Sequence, residues 1–184
     1  MQESQSKSLS NSFVSYVIKK SSSDTAAKAA FARGDNPNTE YLVWEYLASW
    51  CDIADTRQRR AYALIAAAIA RGQVSANGEM NVGECLRRAA NDPSDLENAP
   101  EKAKLMRLIS CDSPIEVVEY LRSIIRYLQA KEGARLDYAQ TLDDIMWWGE
   151  SCKIKWSKAF FNKSFSKLDN KEATKEDGQQ KENE

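Results

Sequence analysis

No stretch of this chain shows sustained strand alternation of apolar and polar residues. From Phe13 to Phe160 the apolar residues instead recur three and four apart. A strand needs a period of two and a helix one of 3.6, so helices are the only regular element this pattern supports. The expected fold class is therefore all-α, a helical bundle of about eight or nine helices.

Caps and breakers mark where those helices begin and end. "NSFVSYVIKK" places Phe13, Val14, Val17 and Ile18 on one face behind Asn11 or Ser12 as cap. Asp24 caps "TAAKAAFAR", which stops at Gly34. "TEYLVWEYLASWC" (39–51) puts Tyr41, Trp44, Leu47 and Cys51 in step. Thr56 is the expected cap of "RQRRAYALIAAAIAR", whose alanines let neighbouring helices approach closely, and Gly72 ends it. After the turn-rich "QVSANGEM" come the short helix "NVGECLRRAAN", the loop "DPSDLENA" and a helix opened by Pro100. Ser113-Pro114-Ile115-Glu116 combines a capping box with proline at the first helical position. The helix it starts, 114–130, aligns Val117, Leu121, Ile124, Ile125 and Leu128. Gly133 breaks the chain before a last and longest helix, expected over 138–163. The pattern divides into an N-terminal helical half (1–72), a linker (73–81), a C-terminal helical half (82–165) that could pack against the first, and a tail (166–184). The tail carries 4 Lys against 6 acids and almost nothing apolar, so it is expected to be disordered.

Several function classes are excluded by what is missing. There is no His, so imidazole acid–base chemistry and His-based metal binding are impossible. Cys51, Cys85, Cys111 and Cys152 are scattered singly and read as inert thiols, not metal ligands. No phosphate-binding glycine loop, dinucleotide fingerprint or metalloprotease motif occurs. Asp143-Asp144 and Glu116 with Glu119 read as solvated or ion-paired helix residues. No catalytic residue, metal or cofactor is expected. No apolar run approaches the roughly 20 residues of a membrane span, and the N-terminus lacks a signal-peptide pattern, so the expected location is cytoplasmic.

Charge is informative only locally, because the 165 residues before the tail carry 22 basic and 21 acidic side chains. Arg57, Arg59 and Arg60 crowd the first turn of a helix, where cations oppose the macrodipole, and this favours a partner outside the helix. Arg87-Arg88 and the pair Arg122 and Arg126, four apart, are further clusters. Projected at 100° per residue, the last helix carries two apolar stripes. Leu142, Ile145, Trp148, Cys152, Trp156, Ala159 and Phe160 form a core face. Trp147, Ile154 and Phe161, seven apart, lie on nearly the opposite side. That second stripe has two readings: packing within a central helix, or an interface with another protein.

The C-terminal half resembles the CasB family, the small subunit of the type I-E CRISPR surveillance complex, Cascade. The resemblance is carried by "WWG" (147–149) followed by Lys153, Trp156 and Phe160, by "KLMRLISCD" (104–112) and "YLR" (120–122), by "LRRAA" (86–90) and by "LDYAQTL" (136–142); it is looser over 24–72. It implies a non-catalytic, all-helical protein present as two copies along the complex. Its implied partners are a second copy of itself, the backbone and large subunits, CRISPR RNA with target DNA, and displaced single-stranded DNA, with no membrane. Its basic helix faces would stabilise the R-loop and the displaced strand in antiviral defence. The residues this points to are Lys28, Arg33, Arg57, Arg59, Arg60, Arg87, Arg88, Lys104, Arg107, Arg122, Arg126 and Lys153, with the triplet 57–60 and the pair 87–88 favoured. Trp147, Ile154 and Phe161 would meet protein. The alternative is a helical protein–protein adaptor with no direct nucleic-acid contact.

Overall fold

The computed structural model describes residues 2–92 and 95–161; the charged tail expected over 166–184 lies outside them. Nine helices occur among the described residues. They are α1 (Gln2–Ser23), α2 (Thr25–Arg33), α3 (Trp44–Leu47), α4 (Thr56–Arg71), α5 (Val82–Ala89), α6 (Pro100–Ile109), α7 (Pro114–Gln129), α8 (Tyr138–Met146) and α9 (Glu150–Phe161), with a 3-10 turn at Glu40–Val43 before α3. The chain is all-α. Its one extended pairing among these residues is an isolated bridge between Met80 and Leu136. None of these helices is long and apolar enough to cross a membrane.

The central post is α4. Ten consecutive residues, from Ala61 to Ala70, are buried on it, because α1, α2, α7 and α8 all pack against it. Alanine on several sides lets four helices come this close without voids. One hydrophobic core takes in Phe13, Phe31, Leu64, Ile69, Leu86, Leu121, Trp156 and Phe160, so helices on both sides of segment 73–81 share it. That segment is pinned by its backbone: Gly78 N–H donates to Leu136 O at 3.0 Å, and Asp137 N–H to Met80 O at 2.8 Å. At the far side α5 crosses α9 at Gly83, where a Cβ would collide with the Trp156 carbonyl oxygen.

Four expectations about element ends are corrected. Helix α1 begins at Gln2 and not at Asn11 or Ser12, since no Gly or Pro interrupts the polar run before them. The cap of α4 is Asp55, whose carboxylate accepts from Arg57 N–H at 2.8 Å, while Thr56 is the first helical residue. Segment 39–51 is not one amphipathic helix. Its 3-10 turn has about three residues per turn, which rotates Glu40, Val43 and Leu47 inward and leaves Tyr41 and Trp44 exposed.

The fourth correction is the largest. The expected helix 138–163 is broken at Trp147-Trp148-Gly149. Buried Asp144 accepts hydrogen bonds from the Trp156 indole N–H at 2.7 Å and the Gln140 amide at 2.9 Å, and pairs with Lys155. Residues 12 apart on a continuous helix are roughly 18 Å apart along its axis. Asp144 and Trp156 can meet only because the chain folds back at the break. Trp148 is half-buried there, its ring 5.0 Å from Trp156 and its indole N–H donating to Cys111 O at 3.0 Å. Trp147 is 65% exposed.

Candidate nucleic-acid interface

The basic residues gather on the two shoulders of α7. Its capping box forms as expected, with Ser113 Oγ accepting from Glu116 N–H and the Glu116 carboxylate reaching back to Ser113 N–H. Around its buried stripe, 3.6-residue periodicity sends Arg122 and Arg126 to one side and Tyr120 and Tyr127 to the other.

On the first shoulder, Asp35 from the loop after α2 sits among three guanidinium groups. Its side chain is 3% exposed. Arg71 from α4 grips it with both terminal nitrogens, at 2.7 and 2.5 Å, and also donates to Ala32 O at 2.8 Å. Arg122 and Arg126 each come within 3.5 Å of the same carboxylate oxygen. Three cations on one anion leave this corner net positive, yet much of its hydrogen-bonding capacity is already used. The favoured triplet is likewise engaged. Arg59 pairs with buried Glu40 at 3.2 Å, donates to Ile53 O at 2.6 Å and lies over the Trp44 ring. Arg60 pairs with Glu119 of α7 at 2.8 Å, and exposed Arg57 lies 3.7 Å from Asp55. The partners inferred from three Arg in a first turn therefore include carboxylates within the fold, brought in from 19 and 59 residues away.

The second shoulder differs. Lys104 of α6 lies 4.4 Å from the centre of the Tyr127 ring, and Lys131 lies 5.3 Å from the same ring. The Arg107 guanidinium lies 4.1 Å from the Tyr120 ring and donates to the Tyr120 hydroxyl at 3.1 Å. Tyr127 donates its hydroxyl proton to buried Glu101, and burial together with that carboxylate pushes its phenol up to about 12. It stays a neutral ring under its cations. Among the described residues none of Lys104, Arg107 and Lys131 has a carboxylate partner. Sequence reasoning named Lys104 and Arg107 but missed Lys131, the tyrosines, Arg71 and Asp35. Tyr120 and Tyr127, seven apart, could have been found by their helical spacing; the Asp35 loop carries no local signal.

The remaining candidates are dispersed. Arg87 is buried, and its guanidinium donates to Phe160 O at 3.1 Å, joining α5 to the end of α9. Arg88 is exposed and lies against Gly133. Lys28 is half-buried in a cleft with Ile18, Ser21 and Val74, and Arg33 is exposed at the end of α2. Lys153 lies 5.9 Å from the Trp148 ring and 3.9 Å from Asp112. Trp147, Ile154 and Phe161 are all exposed. No group of His, Cys, Asp and Glu that could hold a metal ion occurs among the described residues. The four thiols are free, and burial pushes each of them up, which removes them as nucleophiles near neutral pH.

The fold matches two solved structures. CasB from Thermus thermophilus is 21% identical, with a TM-score of 0.62, over 83% of this chain and 97% of that one. A CRISPR-associated protein of the Cse2 family, also from Thermus thermophilus, is 19% identical, with a TM-score of 0.61 and the same coverage. No curated protein matches the chain in sequence. The family model for CRISPR-associated protein Cse2 matches residues 27–161, which runs from within α2 to the end of α9 and takes in both shoulders of α7. The chain belongs to the CRISPR-associated protein Cse2 family.

Proposed function

We propose that this chain is the non-catalytic small subunit of a type I-E Cascade complex and that the shoulders of α7 help hold the displaced DNA strand of the R-loop. Family membership supports the coarser part, a Cascade subunit whose partners include other Cascade subunits. The observation carrying the finer part is the α6–α7 face, where Lys104, Arg107 and Lys131 are gathered on tyrosine rings with no carboxylate partner among the described residues. Exchange of a DNA duplex for a guide–target duplex is nearly balanced, so a few phosphate contacts to the displaced strand can tip it. Cations already paired with Asp35, Glu40 or Glu119 have fewer free donors to offer a phosphate than cations with no carboxylate partner.

The test is single-stranded DNA binding across a salt series, comparing wild type with Lys104/Arg107/Lys131→Ala, alone and in the reconstituted complex. Each phosphate contact contributes about 0.7 to the slope of log affinity against log salt for a single strand. A slope shallower by about 2 in the variant is the expected result. An unchanged slope, or no binding by wild type, transfers the weight to the adaptor reading, which draws on exposed Trp147, Ile154 and Phe161.

A further inference from the structure

We propose that the α6–α7 face also stacks unpaired bases, with the Arg107 guanidinium as the stacking plane and Tyr120 as its backing; this rests on the reading that the face meets single-stranded nucleic acid. Three features of the pair support it. Tyr120 fixes the guanidinium twice, by ring contact at 4.1 Å and by the 3.1 Å hydrogen bond to its hydroxyl, so the plane is oriented before any ligand arrives. The Tyr120 ring lies against the guanidinium, and Arg107 is otherwise exposed, so the group is held on one side and accessible from solvent. The guanidinium has no carboxylate partner among the described residues, so an incoming base displaces no ion pair. Guanidinium planes and aromatic rings are the usual stacking partners of splayed bases.

The rest of the face supplies a different contact. Lys104 and Lys131 flank Tyr127, two helical turns or roughly 10 Å along α7 from Tyr120. An ammonium is a compact point charge with no plane, suited to a phosphate and not to a base. A strand laid along α7 would therefore meet two point charges at one end and, at the other, a plane that a base can stack on while its charge still counts toward the phosphates. At the Asp35 corner the guanidinium groups are held by a carboxylate and, among the described residues, no aromatic ring lies against Arg71, Arg122 or Arg126.

Phosphate contacts are indifferent to whether bases are present, and stacking is not. The full chain is titrated at one low salt concentration with an oligothymidylate and with an abasic strand of equal length. Wild type should bind the oligothymidylate about tenfold more tightly than the abasic strand. Arg107→Lys keeps the charge and removes the plane, so it should lose that preference while retaining wild-type affinity for the abasic strand. Tyr120→Phe, which keeps the ring and removes the hydroxyl, should lose part of it. Equal wild-type affinity for the two strands, or an Arg107→Lys variant that keeps the preference, overturns the stacking proposal and leaves the phosphate reading standing. Binding of neither strand overturns both.

Discussion

Tyr62, Tyr127, Cys51 and Cys85 keep their protons in the folded chain well past the pH at which the same groups ionise in water. Burial pushes Tyr62 up to about 12, Cys85 to about 12 and Cys51 to about 11, and burial with the Glu101 carboxylate pushes Tyr127 to about 12. Unfolded thiols and phenols ionise near 8.5 and 10. Across about pH 8.5–12 the unfolded chain therefore holds fewer protons than the folded one. The sign of the linkage makes stability fall as pH rises through that window. Urea unfolding at stepped pH should show the midpoint dropping above about pH 9, and Tyr62→Phe should flatten the upper part of the fall. A midpoint constant from pH 8 to 11 would mean that these groups are more accessible than the fold makes them.

Elements are decided by a mixture of local and distant residues, and two glycines separate the two. At Gly83, α5 and α9 are so close that a Cβ meets backbone, which no rotamer change relieves. Gly83→Ala should cost about 3 kcal/mol, the upper end for overpacking, read as a lower unfolding midpoint. Gly149 sits in the conspicuous WWG motif, yet its nearest neighbour to a built Cβ is 3.9 Å away. Gly149→Ala should cost under about 1 kcal/mol, the loss of a tolerated N-cap residue. The reverse order would contradict a close crossing of α5 and α9 at Gly83. The same distinction separates what was legible in the sequence. Asp24 before α2, the Ser113 capping box and the apolar stripe of α7 act within four residues, and each formed where the pattern put it. The break at Trp147–Gly149 was missed because the contact that accompanies it, Trp156 to Asp144, joins residues 12 apart, which helical periodicity does not encode. The ion pairs of Arg59, Arg60 and Arg71 reach 19 to 59 residues along the chain, so charge clustering alone could not separate engaged arginines from unpaired ones.

At the scale of the whole molecule, the tyrosine-backed cations and the apolar stripe Trp147, Ile154 and Phe161 occupy different elements, which lets nucleic-acid and protein contacts be perturbed independently. The tyrosine-backed cations Lys104, Arg107 and Lys131 lie on α6 and just after α7, whereas Trp147, Ile154 and Phe161 lie at the α8–α9 junction and along α9. The two neighbouring tryptophans test this. Trp148 packs on Trp156 and donates to Cys111 O, so it ties the α8–α9 junction to the loop between α6 and α7. Trp148→Ala removes a half-buried ring and a hydrogen bond together and should cost about 3 kcal/mol of stability. Trp147 has most of its surface in water already, so Trp147→Ala should leave the unfolding midpoint within about 0.5 kcal/mol of wild type. If its ring docks on a neighbouring subunit, losing it should cost about 2 kcal/mol of assembly, roughly a 30-fold rise in the concentration needed for half-incorporation into the complex. Low-salt binding of single-stranded DNA by the free variant should be unchanged, since Lys104, Arg107 and Lys131 rest on Tyr120 and Tyr127 and not on Trp147. Loss of assembly with intact DNA binding would assign the two surfaces to separate partners. Equal destabilisation by the two substitutions would place Trp147 in the fold and remove the interface.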